Sequence, residues 1–475
     1  MSQHSNEQKT HLEPVDNENN AQNNTTGTKA AVNTETTDEE TTQSAFSGYD
    51  VGLSKLALIY LGIQVALFMT LMESTIVSTS VVDITNGLGG YVKSSWLFTS
   101  YMLAFSGRLH STVEAVHFVP VTGFAFAVLL FAFPKQLSGE PVANRAAESA
   151  IQRLKRFDAL RGTLLLGITV PLTTALQQAA QSLAFGSVFV WPLLLVAGLS
   201  LVGFFSWQWY ITTKRSVPEP VLPWRLLKSR ACVGIMLNSF FSGCVMAVCT
   251  VQIPQRFIVL HNILSPLSAG TRLLAFSMMV PVGSAFSAVF LDKKLLTLNA
   301  LLLIGGSLQT IGVVLLATLV SNIGNLGPQY GFEVIVGTGL GFVTTATFLL
   351  VPMKMEKRDL AVGTGMVAQF RILGGVISLA IVTCISTPVI RNALLESIPP
   401  DQTHTILDRL EIIGTLPEEM QNHVWDSFRR GFDLQMTVII GFAAANILAT
   451  LSMMGKDTFL EEFRSLTNRK DSTGG

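Results

Sequence analysis

The chain of 475 residues is 49% hydrophobic and only 13% charged, where soluble domains carry about 25% charged residues; a soluble globular protein is excluded. Its 32 basic and 32 acidic side chains cancel, so no surplus positive charge exists to neutralise phosphates, and nucleic-acid binding is excluded. Cys232, Cys244, Cys249 and Cys384 show no CxxC spacing and seven histidines form no HExxH or His-box cluster, which argues against zinc hydrolases and membrane di-iron enzymes, so no metal site is expected.

In chain order, residues 1–54 come first. The first fifty hold nine carboxylates against Lys9 and Lys29 and are rich in Asn, Gln and Thr, the composition of a disordered acidic tail. With no basic start and no apolar stretch of the secretory kind, this tail is expected on the cytoplasmic side.

A bilayer crossing takes about 20 mostly apolar residues. Ten such stretches follow: 56–82, 116–133, 162–180, 188–210, 231–251, 268–291, 296–320, 331–352, 361–386 and 434–454. An eleventh, 94–107, is too short to span unaided and reads as a short or re-entrant helix. The expected organisation is a helical remnant at 55–133, a loop at 134–161, two linking helices at 162–210, and a linker at 211–230. A six-helix bundle at 231–454 and a tail at 455–475 complete it.

Alternate loops separate by charge. The set 134–161, 211–230, 292–295, 353–360 and 455–475 holds 20 Lys and Arg in 81 residues, against 5 in 80 for 181–187, 252–267, 321–330 and 387–433. The first set is therefore expected in the cytoplasm. Within 387–433, Ile406, Leu407, Leu410 and Ile413, and then Met420, Val424, Trp425 and Phe428, repeat at helical spacing. Two short helices lying on the bundle or the lipid surface are expected, starting near Asp401 and Pro417.

Of the 64 charged side chains, only Glu73, Arg272, Glu333 and Arg371 fall inside these spans, where a charge costs several kcal/mol without a partner or water. Arg272 and Glu333 lie within five residues of span ends and are expected to snorkel to the surface. Arg371 and Glu73 lie too deep for that. An intramembrane carboxylate able to gain and lose a proton is what proton-coupled transport requires; a static hydrogen bond to nearby hydroxyls is the structural alternative for Glu73. For Arg371 the alternative is a fixed pair with a carboxylate or helix C-terminus. The glycines at 305, 306, 312, 337, 339, 341, 363, 365, 374 and 375 are read as helix-packing positions.

Several segments resemble one family in one order. Leu71-Met72-Glu73-Ser74-Thr75-Ile76-Val77-Ser78-Thr79 resembles the first-helix signature of the fourteen-helix drug:proton antiporters of the major facilitator superfamily, with Glu where the family usually has Asp. Trp96-Leu97-Phe98-Thr99-Ser100-Tyr101-Met102-Leu103 is similar to the start of its second helix. Pro218-Glu219-Pro220-Val221-Leu222-Pro223-Trp224-Arg225-Leu226-Leu227 is similar to its linker, and Phe370-Arg371-Ile372-Leu373-Gly374-Gly375 to its penultimate-helix motif. The style is that of fungal toxin-efflux pumps.

The resemblance implies an all-α membrane bundle that exports small organic molecules such as drugs, toxins or secondary metabolites against proton influx. Glu73 would carry the proton and Arg371 would be a charge partner, with Gln369, Asn238, Thr344 and Thr345 in the cavity wall. The implied partners are the small-molecule substrate, protons and the lipid bilayer; no prosthetic cofactor and no enzyme activity are implied. A monomer is implied, in the plasma membrane, with the vacuolar membrane as the alternative. After Gly107 the chain runs Arg108-Leu109-His110-Ser111-Thr112-Val113-Glu114-Ala115 and resumes as what resembles the sixth helix. Helices three to five are thus expected to be absent and export to be weak. In the C-terminal half only Leu291-Asp292-Lys293-Lys294 remains of the repeated charged motif. The competing expectation is a non-transporting remnant of a truncated gene or mis-joined transcript.

Overall fold

A computed structural model describes residues 62–65, 159–182, 188–214, 224–260, 266–293, 295–318, 327–356, 359–396, 398–408, 413 and 416–454. The tails, most of span 56–82 with Glu73, segment 94–107, span 116–133 and most of loop 134–161 lie outside the described residues.

Long apolar runs in lipid must satisfy their backbone groups internally, and here they do so as helices. These are α1 (Ala159–Ser182), α2 (Val190–Lys214), α3 (Trp224–Lys228), α4 (Arg230–Leu260), α5 (Pro266–Asp292), α6 (Leu298–Thr318), α7 (Gly327–Lys354), α8 (Leu360–Leu395), α9 (Pro400–Asp408) and α10 (Glu418–Met453). Seven of them, α2, α4 to α8 and α10, are long and apolar enough to cross a membrane. Among the described residues the protein is all-helical, an integral membrane protein. Pro171, Pro254, Pro281, Pro352 and Pro388 sit inside helices, as membrane helices tolerate.

Two expected elements differ from what is observed. The stretch 162–180 is helical, but its apolar part, Leu166–Leu176, is shorter than a membrane span, and within it Thr173 and Thr174 bond back to the Thr169 and Val170 carbonyls. The segment 387–433 does not hold two surface helices. The preceding span runs on to Leu395, and the Met420–Phe428 pattern is the start of α10, whose N-cap is Pro417 and whose first turn carries Glu418 and Glu419, acids suited to a helix N-terminus. Only α9 is short and separate, and its Ile406 and Leu407 are buried in the core beside Val424 and Phe428.

The C-terminal helices pack around α4 and α7. α4 lies against α8 and α10, α7 lies against α5 and α6, and α6 touches α10. One core gathers Phe257, Phe276, Phe428 and Phe432; a second gathers Leu226, Ile235, Leu301 and Leu350. α1 pairs with α2 and rests on α8 through Ala175, Ala179, Val190 and Cys384. The other side of α2 is open, with Trp191, Leu199 and Val202 each more than half exposed, a face suited to lipid.

Glycines set the closest approaches, as lipid offers no hydrophobic drive and backbone contact must substitute. A Cβ on Gly243 would strike the Arg371 carbonyl, and one on Gly374 the Phe240 carbonyl, so α4 and α8 meet almost backbone to backbone at Arg371. Gly283 and Gly341 do the same between α5 and α7. Gly365 is the exception among the expected packing glycines, with open space around it. Gly374→Val is therefore expected to destabilise the bundle by roughly 1–3 kcal/mol or more, seen as a lower melting temperature of the detergent-purified protein by size-exclusion thermal scan. Gly365→Ala should leave that temperature unchanged.

Candidate functional site

Arg371 stands about three turns into α8, where the Gly374 and Gly243 contacts hold its backbone against α4. Its side chain is half-buried and turns to α7, where Nη2 donates to Thr344 Oγ1 at 2.9 Å. The Thr344 hydroxyl donates its own hydrogen to the Leu340 carbonyl at 2.7 Å, so its oxygen is free to accept from the arginine. The guanidinium also lies 5.7 Å from the centre of the Phe348 ring, a favourable cation–π distance. Arg371 Nε is buried without a hydrogen-bond partner. The cation is thus held by a hydroxyl and a ring, with a donor to spare. That arrangement suits an incoming carboxylate or a polar ligand oxygen.

Thr345, one residue on, points elsewhere because successive helical side chains diverge by about 100°. Its Oγ1 lies 2.6 Å from Ser284 Oγ on α5, and Ser284 Oγ accepts from Gln64 Nε2 at 3.3 Å. A hydroxyl pair on α7 thereby faces two ways: Thr344 to the arginine, Thr345 through Ser284 to the helical segment 62–65.

Asn238 is fully buried on α4, and its Nδ2 donates to Thr450 Oγ1 at 2.5 Å. Asn446 Nδ2 in turn donates to Gln309 Oε1 at 3.2 Å. The amide therefore belongs to a network tying α4, α10 and α6 together, rather than to the Arg371 group. Gln369 is half-buried on α8. Glu73 lies outside the described residues, so its distance from Arg371 is not part of this geometry.

A second polar group was not legible in the sequence. Arg256, expected in the loop 252–267, lies inside α4, 4% exposed, and its Nη1 donates to the Leu316 carbonyl in the last turn of α6 at 3.1 Å. Glu333, expected to snorkel, is 0% exposed on α7, and its Oε1 accepts from Gln329 Nε2 at 3.2 Å. Arg272 does not simply reach for the surface either: its Nη1 donates to Tyr330 Oη at 2.8 Å and its guanidinium covers Phe257. The apolar run Phe257-Ile258-Val259-Leu260 after Arg256 was the available signal that the helix continues. Among the described residues no cluster of His, Cys, Asp or Glu could hold a metal, and the four cysteines are buried and unbridged.

No family model matches the chain. Sequence relatives do. The chain is 30% identical to the MFS-type transporter FPY5 of Fusarium mangiferae over 82% of its own length and 63% of that protein. It is 23% identical to the aspyridones efflux protein of Neocamarosporium betae, over 72% of this chain and 58% of that one. Against the multidrug resistance protein fnx1 of Schizosaccharomyces pombe it is 25% identical, over 61% and 55%. The chain therefore spans less than two thirds of the length of these relatives. Among solved structures, it is similar to a bacterial homologue of the human lysosomal transporter Spinster in an inward-facing, occupied conformation. The TM-score is 0.44 at 12% identity, covering 86% of this chain and 99% of that one.

Proposed function

Taking the chain as a relative of the major facilitator superfamily transporters, we propose that it is a proton-coupled exporter of small organic molecules. The observation that carries this reading is Arg371: a cation about three turns inside a membrane helix, held by Thr344 and Phe348 and keeping one donor unused. A charge in such a place costs several kcal/mol, and a transport site is a common reason to retain it. In this reading Glu73 carries the proton, Arg371 answers its charge or the substrate's, and Thr344 and Thr345 with Gln369 belong to the cavity wall. Asn238 serves by clamping the helices behind that wall. Transport follows the rocking of one helical half against the other about a site near the midplane. The plasma membrane and a monomeric state complete the proposal.

A second reading rests on the sequence after Gly107, which resumes as what resembles the sixth helix, so that helices three to five would be absent. Without these, the groove beside Glu73 would open to lipid, and polar groups there would meet hydrocarbon. We accordingly expect export to be weak. In a pump-deficient host the chain should confer little resistance to toxic compounds, and sequencing the transcript across codons 107–118 tests the cause. Strong, proton-dependent resistance would remove the remnant reading.

A further inference from the structure

The buried polar group at the Gly327 end of α7 takes no part in the Arg371 site. Glu333 lies six residues into the helix, about 9 Å along its axis, and is 0% exposed. One carboxyl oxygen, Oε1, accepts from Gln329; the other, Oε2, is buried and has no hydrogen-bond partner. Arg256 is within electrostatic range of Glu333; nearby, Arg429 pairs with Asp426 at 3.2 Å on α10. Arg256 instead spends Nη1 on the Leu316 carbonyl, and its buried Nε has no partner.

Two groups of opposite formal charge within electrostatic range, each keeping a spare polar atom, do not form the forked pair that arginine and carboxylate ordinarily make. A buried carboxylate oxygen with no donor is costly. A proton on that oxygen removes the need for a donor, and frees the arginine to cap the carbonyl end of α6. Loss of the proton would recreate a full negative charge, which the spare Nε–H of Arg256 could answer. We propose that the Glu333 carboxyl, held by Gln329 and with its second oxygen buried and unpartnered, is a proton-binding site of the C-terminal bundle, apart from the Arg371 group.

The surrounding groups on each neighbouring helix are consistent with a site of this kind. α4 contributes Arg256 and the Cys249 thiol. Arg272 of α5 is committed to the Tyr330 hydroxyl on α7. α6 contributes the Leu316 carbonyl rather than a charge. From α10, Asp433 and Arg429 act on Arg256, and Arg429 is paired with Asp426. Arg256 is thus drawn between Glu333 on α7 and Asp433 on α10, so proton binding at Glu333 would bias the packing of the helices that meet at this end. Its use in transport rests on the exporter reading; the binding of a proton does not.

The test is infrared difference spectroscopy of the purified full chain in lipid as the pH is stepped, following the protonated-carboxyl C=O stretch. A titrating band is expected that Glu333→Gln removes and that Asp433→Asn and Glu73→Gln leave in place. Should Glu333→Gln fail to fold, Gln329→Leu serves: losing its donor, the same band must move to higher frequency. A difference spectrum unchanged by Glu333→Gln, or a band unmoved by Gln329→Leu in a folded protein, would overturn the proposal. No substrate enters this measurement, so a chain that exports nothing can still pass it, and a working exporter can still fail it.

Discussion

Arg371→Ala is expected to weaken pH-gradient-driven export by roughly ten- to a hundredfold while the protein still reaches the membrane. Among the described residues the guanidinium donates to Thr344 Oγ1 at 2.9 Å and meets the Phe348 ring. Neither of these described partners is charged. In the exporter reading, what is lost is the donor set available to an acceptor group of the substrate. A hydrogen bond to a charged group is worth about 1.5–3 kcal/mol, which is the tenfold to hundredfold range in binding. Arg371→Lys keeps the charge but not the planar fork and should fall between parent and alanine. Thr344→Val, which removes the acceptor for Nη2, should shift the apparent substrate affinity more than the maximal rate. These comparisons need only concentration series of dye uptake in vesicles. Equal uptake by parent and Arg371→Ala would make the arginine a packing residue at the α4–α8 contact.

Glu73→Gln is expected to have the larger effect: complete loss of export driven by a pH gradient, with membrane expression unchanged. Glutamine matches the size and hydrogen-bonding shape of glutamic acid but has no proton to exchange, so it separates coupling from structure. The residue lies within about one helical turn of the middle of 56–82, deep enough that neither end of the span offers it water, and it sits in the segment that resembles the antiporter signature. A static hydrogen-bonding role would survive the substitution.

How much of this was readable along the chain depended on whether a feature is local. Arg371 stood out because a charge in an apolar run is visible in one dimension, and its glycine neighbours marked a tight crossing before any partner helix was known. The two faces of the Thr344 and Thr345 pair were not readable: hydroxyls are frequent in these spans, and only folding brings Ser284 and Gln64 to one of them. Gln64 did leave a trace, as the only amide side chain between residues 56 and 82. Glu333 and Arg256 were misplaced for a physical reason. Whether a charge near a helix end snorkels or turns inward depends on which neighbours cover it, and Gln329 and the α6 carbonyl terminus decide that here. The amphipathic stripe at Met420–Phe428 was real, but a stripe records which face is buried and not whether the helix continues into the membrane.

The most direct measurement is uptake of a fluorescent lipophilic dye into everted membrane vesicles carrying this chain, with the vesicle interior made acidic. A proton-coupled exporter with a depleted N-terminal half predicts uptake that is small but above vesicles without the chain, collapses with a protonophore, and is absent for Glu73→Gln. Uptake equal in parent and Glu73→Gln, or no gradient-dependent uptake at all, would contradict it.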